Sequence, residues 1–271
     1  LLLLATAGVL GGSAQAANNV FNYTGGGTST TPLTGNWNNS SNWLQAAIPP
    51  SAVTTELDFG GSDPTNIYTS TDDITGAFLL NEIQLNSTSP VTDVIASSAA
   101  ANTLSFSTNG TATPTLLQNG TGAFNISSGI VLANNLLVSG AGTGAVTLSG
   151  PIGGAGTLTY NNSAGVLNVS GTNTYTGATN VVTGTVNFTG SGTQTASTSL
   201  DVGSTAGVTT PGIVNINTTG ALTFASALNV GDIGAYGAVT QTSGTVQSVN
   251  TGGNYIMIGN DGYGSYTLAG G

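Results

Sequence analysis

The sequence predicts an all-β chain wound as a parallel β-helix (β-solenoid) with an N-terminal cap segment, and three observations predict it. Short runs alternate apolar residues with Thr, Ser or Asn, at 103–107, 129–132, 136–139, 145–149, 213–217 and 221–224, and Gly, Asn-Gly or Gly-Gly punctuates the stretch between them. Period-two alternation rich in β-branched residues is strand patterning, and no helix cap is followed by a 3.6-residue repeat. Val202-Gly203, Val230-Gly231 and Ile258-Gly259 recur 28 residues apart, a period that marks stacked repeats. Residues 94 to 200 carry no charge at all. Coils stacked about 4.8 Å apart would bring like charges into register, so an uncharged stretch suits them.

The elements follow in order. Leu1 to Leu10 is apolar, and Ala14-Gln15-Ala16 forms an A-x-A cleavage site, so residues 1–16 read as the end of a secretory signal peptide. The absence of an initial Met and of a basic n-region predicts that the chain is truncated at the front. Residues 17–95 are expected to be a cap and entry region. They contain both tryptophans, Trp37 and Trp43, then Pro49-Pro50, an alternating run ending at Phe59, and a strand expected over 78–85. The tryptophans are expected to plug the open end of the solenoid, since terminal repeats need capping; stacking on sugars is their alternative use. Residues 96–271 form the expected repeat region, stopping in mid-repeat at Gly271, with parallel pairing predicted between about 110 and 268.

Asn109-Gly110 and Asn119-Gly120 would also suit hairpin turns, so an antiparallel up-and-down or sandwich fold is the structural rival. The long-range 28-residue spacing and the lack of strongly amphipathic two-sided strands favour the solenoid. The spacing predicts that Val202, Val230 and Ile258 form one inward-facing column with the glycines at the adjacent corner. Thr240 falls in a loop or an outward phase. Outward Asn and Thr ladders would add side-chain hydrogen bonds between coils.

Residues 146–190 resemble the autotransporter-associated β-strand repeat of bacterial passenger regions. The matching elements are Leu148-Ser149-Gly150, Gly154-Ala155-Gly156-Thr157-Leu158, Leu167-Asn168-Val169-Ser170-Gly171, Asn173-Thr174-Tyr175-Thr176-Gly177 and Gly184-Thr185-Val186. Tyr160 stands where that family usually has a basic residue. The Val-Gly segments at 228–244 and 256–270 are similar to another repeat of the same large surface proteins, and the two-tryptophan entry is similar to their N-terminal caps. The resemblance implies a right-handed parallel β-helix, export, and a C-terminal translocator or anchor elsewhere.

Composition excludes several functions. The chain has no Lys, Arg, His or Cys and a net charge of −10. Phosphate neutralisation needs Lys or Arg, which argues against nucleic acid and anionic membrane surfaces. Disulfides and thiolate metal sites are impossible, and no apolar run beyond the leader reaches the ~18 residues of a membrane span. Serine triads lack a base, and a P-loop lacks its Lys.

Ten acids remain, seven of them between Glu56 and Asp93. Glu56 and Asp58 lie two apart on an expected strand and so share a face, roughly 6–7 Å apart, near the spacing of glycosidase acid pairs. Asp72-Asp73 is a second candidate pair. The expected role of both is a solvated acidic edge. The turn Gly259-Asn260-Asp261-Gly262 is superficially similar to calcium-binding nonapeptide turns, but one acid per turn without tandem repetition is a weak signal. Asn-x-Ser/Thr triplets such as Asn86-Ser87-Thr88 and Asn187-Phe188-Thr189 are frequent by chance in so Asn- and Thr-rich a chain. No catalytic, cofactor-binding or metal-ligating residue is therefore expected.

The expected function is a non-catalytic stalk, secreted or on the bacterial outer surface and adhesin-like, touching host or environmental glycans or proteins. A carbohydrate-active β-helix enzyme using an acid pair and a self-assembling matrix or filament protein are the alternatives.

Overall fold

The computed structural model describes residues 16–24, 33–60, 68–249 and 256–271. The expected leader lies almost wholly outside the described residues. Among the described residues there is no α-helix, only a single 3-10 turn at Ser40–Asn42. Every ladder between strands is parallel. The chain is a parallel β-helix, and the antiparallel rival is excluded. Asn109-Gly110 makes a local turn, bridging Asn109 to Ala112 within a loop rather than joining two strands of a hairpin.

Three stacks of strands make up the coil. The first face runs through Asn19–Tyr23, Thr55–Phe59, Glu82–Leu85, Thr115–Gln118 and Leu136–Ser139, and through the first halves of Leu158–Val169 and Thr179–Gly190. It ends with Leu200–Val202, Leu228–Val230 and Ile256–Ile258. Its register generates one column through ten rungs: Phe21, Leu57, Ile83, Leu116, Val138, Tyr160, Val181, Val202, Val230 and Ile258. From Leu57 to Val230 every member is buried. The expected Val202–Val230–Ile258 column is its end, with Ile258 48% exposed on the last described rung.

The second face contributes the inward series Phe124, Val146, Leu167, Val186, Val214 and Val239. The third contributes Phe78, Leu104, Ile130 and Ile152. All these residues belong to one hydrophobic cluster. Alternation in sequence thus becomes an inside and an outside: each inward residue stacks on its counterpart one rung away.

The ladder begins earlier than residue 96. Asn19–Tyr23 already pairs with Thr55–Phe59, so the 17–95 segment is itself wound into coils. Within its first coil Trp37 and Trp43 are buried at 0% and 2% exposure. They lie edge-on to each other at 5.9 Å, and Trp43 meets Tyr23 at 5.2 Å while Trp37 meets Phe78 at 5.1 Å. The Trp37 indole N–H donates to Ser70 Oγ (2.6 Å), and that of Trp43 donates to the Trp37 carbonyl (3.0 Å). The rings fill the first coil with their polar edges satisfied.

The 28-residue spacing belongs to the last rungs only. Matched positions are 21 residues apart from Val181 to Val202, 28 from Val202 to Val230, and 33 from Ile83 to Leu116. The turn loops absorb the difference while strand register is kept.

The Val-Gly corners show why glycine recurs. The Gly203, Gly231 and Gly259 N–H groups each donate at 2.8 Å to the valine carbonyl one rung below: Val181, Val202 and Val230. Gly231 has φ +68°, and a Cβ there would lie 2.1 Å from the Tyr263 carbonyl oxygen. Gly207 has φ +78° with nothing within 4 Å. Gly207→Ala should therefore pay only the left-handed backbone penalty, about 1–2 kcal/mol. Gly231→Ala adds a clash with backbone that cannot swing away, and should cost at least about 2 kcal/mol more. Denaturant unfolding of the two variants measures the difference; equal losses would contradict the close approach.

The Asn173–Gly177 segment also has a physical reading. Asn173 is fully buried at a third-face corner, where its Oδ1 accepts from the Ile152 N–H (3.1 Å) and its Nδ2 donates to the Gly171 carbonyl (3.1 Å). The Tyr175 ring is fully buried, with its hydroxyl 2.5 Å from Thr179 Oγ1. A Cβ at Gly177 would lie 2.3 Å from the Gly156 carbonyl oxygen. Each of the three supplies what an inside corner needs: hydrogen-bond closure, bulk, or space. Tyr160, where the resembled family is basic, is an inward member of the first-face column, 3% exposed. A charge could not be accommodated at that depth without a partner.

Candidate functional site

Glu56 and Asp58 flank the inward Leu57, so they do share the outer side of one strand, in register with Glu82 and Gln84 on the next. They are not a solvated edge. Each is only 9% exposed and roofed by amides. Gln84 Nε2 donates to Glu56 Oε1 (2.6 Å) and Glu82 Oε1 (2.7 Å), and Asn18 Nδ2 donates to Glu56 Oε2 (3.4 Å). Asn22 and Asn86 donate to the two oxygens of Asp58, both at 2.7 Å. Burial first, and the neighbouring Glu82 carboxylate second, raise the Glu56 pKa. The pair is built as acceptors in an amide–carboxylate ladder, in which neutral donors take the place of the cations the chain lacks.

Asp72 and Asp73 do not face a common site. Asp73 accepts from the Asn38 N–H at 2.8 Å. Asp72, the last residue of Tyr68–Asp72, occupies an inward phase and is fully buried. Its Oδ1 accepts from the Ile74 N–H (3.0 Å), while Oδ2 is buried without a partner. Asp93 repeats this pattern one rung on: fully buried, Oδ1 accepting from the Tyr68 N–H (3.2 Å), Oδ2 unpartnered. The Tyr68 hydroxyl is likewise buried and unpartnered. Burial pushes both carboxyls up to about 6. The expectation of solvated acids fails here because sequence alone does not show which face a strand-terminal residue takes.

The Gly259–Gly262 turn lies one rung from an equivalent turn at Asp232. Asp232 Oδ1 accepts from the Ile233 N–H (2.8 Å) and from Asn260 Nδ2 (3.1 Å), and Asp261 sits in the left-handed region at φ 54°. Among the described residues no group of three or more His, Cys, Asp or Glu is placed to hold a metal ion.

The second face presents an uncharged outer column: Asn125, Thr147, Asn168, Asn187, Asn215, Thr240 and Thr267. Asn215 donates to Asn187 and Asn187 to Asn168, both at 2.9 Å, and Asn168 donates to Thr147 Oγ1 at 3.3 Å. This is the expected side-chain ladder. It also places the Asn187 triplet within a strand and the Asn86 amide on Asp58.

One feature was missed in the sequence. Tyr236 and Tyr263 pair in register, both directed outward, with rings stacked at 4.7 Å and 9° between planes. They line a groove of about 460 Å³ together with Pro211, Ala238, Gly262 and Ser265. The signal was the repeated Tyr-Gly dipeptide at 236–237 and 263–264, one coil apart.

No protein-family model, curated protein or solved structure matches this chain.

Proposed function

We propose that this chain is the shaft of an exported, non-catalytic surface protein, secreted or held at a bacterial outer membrane, and adhesin-like in the manner of the passenger repeats that residues 146–190 resemble. The observation that carries the reading is the ten-rung column from Phe21 to Ile258, flanked by an outer Asn/Thr ladder. A continuous core gives a rod, and an uncharged, hydrogen-bonding flank offers many weak contacts that add by avidity. The acid pairs support it too. Glu56 and Asp58 are tied to four amides, and Asp72 opens into the core, so neither pair is positioned as a free acid and base. Among the described residues no helix is long and apolar enough to cross a membrane.

The test is incubation of the protein with a panel of neutral and acidic polysaccharides, read by released reducing ends. The stalk reading expects none. Release that disappears in Glu56→Gln/Asp58→Asn would replace it with the enzyme reading. Light scattering whose apparent mass grows with concentration would replace it with the filament reading.

A further inference from the structure

We propose that the groove walled by Pro211, Tyr236 and Tyr263 is a subsite for a neutral glycan, with the two tyrosines as its stacking platform and Asp261 as a hydroxyl acceptor on its rim. This rests on the stalk reading and names the partner chemistry of that stalk.

Four observations converge. The rings of Tyr236 and Tyr263 are stacked on adjacent rungs, so the backbone register holds them in place before anything binds. A rigid aromatic surface costs little entropy on binding. They remain 38% and 64% exposed, although almost every other large aromatic of the described chain is inside. The groove they line, about 460 Å³, falls in the range of small-ligand sites. Gly237 and Gly264, beside the two tyrosines, also line it. A Cβ on either would lie 2.2 Å and 2.1 Å from the Val202 and Val230 carbonyl oxygens, so close backbone packing holds both positions to glycine.

The chemistry selects the occupant. A pyranose presents an apolar C–H face, which suits an aromatic ring, and a hydroxyl rim, which suits acceptors. Asp261 lies between Gly259 and Gly262, both of which line the groove, and its side chain is exposed. Its carboxylate takes no hydrogen bond among the described residues, whereas Asp232 on the neighbouring turn already accepts two. A carboxylate–hydroxyl bond is of the stronger, charge-assisted kind. With no cation anywhere in the chain and a net charge of −10, an anionic sugar would be repelled. The ligand class is therefore uncharged.

The experiment is titration of the whole chain with cellohexaose, laminarihexaose and maltohexaose, and with a galacturonic acid hexamer as the charged control, followed by calorimetry and by the tyrosine ring resonances. At least one neutral hexasaccharide should bind and shift the Tyr236 and Tyr263 signals, and the acidic one should not. Tyr236→Ala/Tyr263→Ala should weaken binding about tenfold or more, Tyr236→Phe/Tyr263→Phe should retain it, and Asp261→Asn should lower it several-fold. The Phe pair and Asp261→Asn keep the question open to refutation should the Ala pair loosen the last rung. Failure of all three neutral probes to bind, or equal affinity in the Ala pair or in Asp261→Asn, overturns the subsite and leaves the stalk intact. Cleavage of a bound probe would overturn the non-catalytic stalk and leave the subsite standing.

Discussion

Val230→Asp is expected to cost roughly 3–5 kcal/mol and to unfold the last coils before the rest. Val230 is 1% exposed and sits in the first-face column between Val202 and Ile258. The substitution removes a buried aliphatic side chain, a loss of about 1.5–3 kcal/mol, and places a carboxylate where the chain has no Lys, Arg or His to pair with it. In a stack whose stability is largely a sum of neighbour terms the damage stays local. Hydrogen exchange should show protection lost between about residues 200 and 260 and kept between 110 and 190. Thr240→Asp is the control. Thr240 faces outward, opposite Asn215 and Thr267, and the change should fall within about 0.5 kcal/mol of neutral. Equal protection in the two variants would mean that the inward and outward phases are wrongly assigned.

Acid is expected to stabilise the N-terminal coils. Asp72 and Asp93 are fully buried, and burial lifts both from 3.8 to about 6. The groups around them offer little relief. Asp72 has the Ile74 N–H and the like-charged Asp73, and Asp93 has the Tyr68 N–H and a hydrogen bond from Ser87. Each carboxyl holds its proton more tightly folded than unfolded. The stability this confers is fully present below about pH 4 and is lost as pH rises through about 6. At roughly 1.4 kcal/mol per unit, the two together can change stability by about 4–6 kcal/mol across that window. Unfolding at pH 4.5 and 7.5 should therefore show the greater stability at the lower pH, the reverse of ordinary acid denaturation. Asp72→Asn/Asp93→Asn should flatten the dependence. A wild-type profile that is level or rises toward neutral pH would contradict the inward placement of these acids.

The parts of this molecule legible in sequence were those in which one residue type does one geometric job. Val202, Val230 and Ile258 could be placed in a column because alternation sets the face and the glycine after each sets the corner. Trp37 and Trp43 could be placed inside because large aromatics near a solenoid terminus have an end to fill. The origin of the ladder at Asn19 was not legible, since coil gaps that range from 33 residues, Ile83 to Leu116, to 21, Val181 to Val202, erase any fixed period. The acids were misjudged for a related reason. Glu56 and Asp58 take the outer phase but are covered by Asn18, Asn22, Gln84 and Asn86, residues dispersed along the chain that only register brings together. Asp72 looked equivalent to Asp73, and which of two adjacent residues turns inward depends on where the strand stops. The Tyr236–Tyr263 groove left a trace in its repeated Tyr-Gly, but stacking of the rings needs the rung-to-rung register.

The central claim is that each coil advances this protein by one strand spacing. The chain has no native cysteine, so pairs of spin labels can be introduced at single Cys substitutions along the outer second-face column. Asn125 lies three rungs from Asn187, four from Asn215, five from Thr240 and six from Thr267. At about 4.8 Å per rung, the four pairs should give separations near 14, 19, 24 and 29 Å, rising in even steps. Separations that fail to increase along this series, or that depart from about one strand spacing per rung, would contradict the parallel β-helix and the rod-like function argued from it.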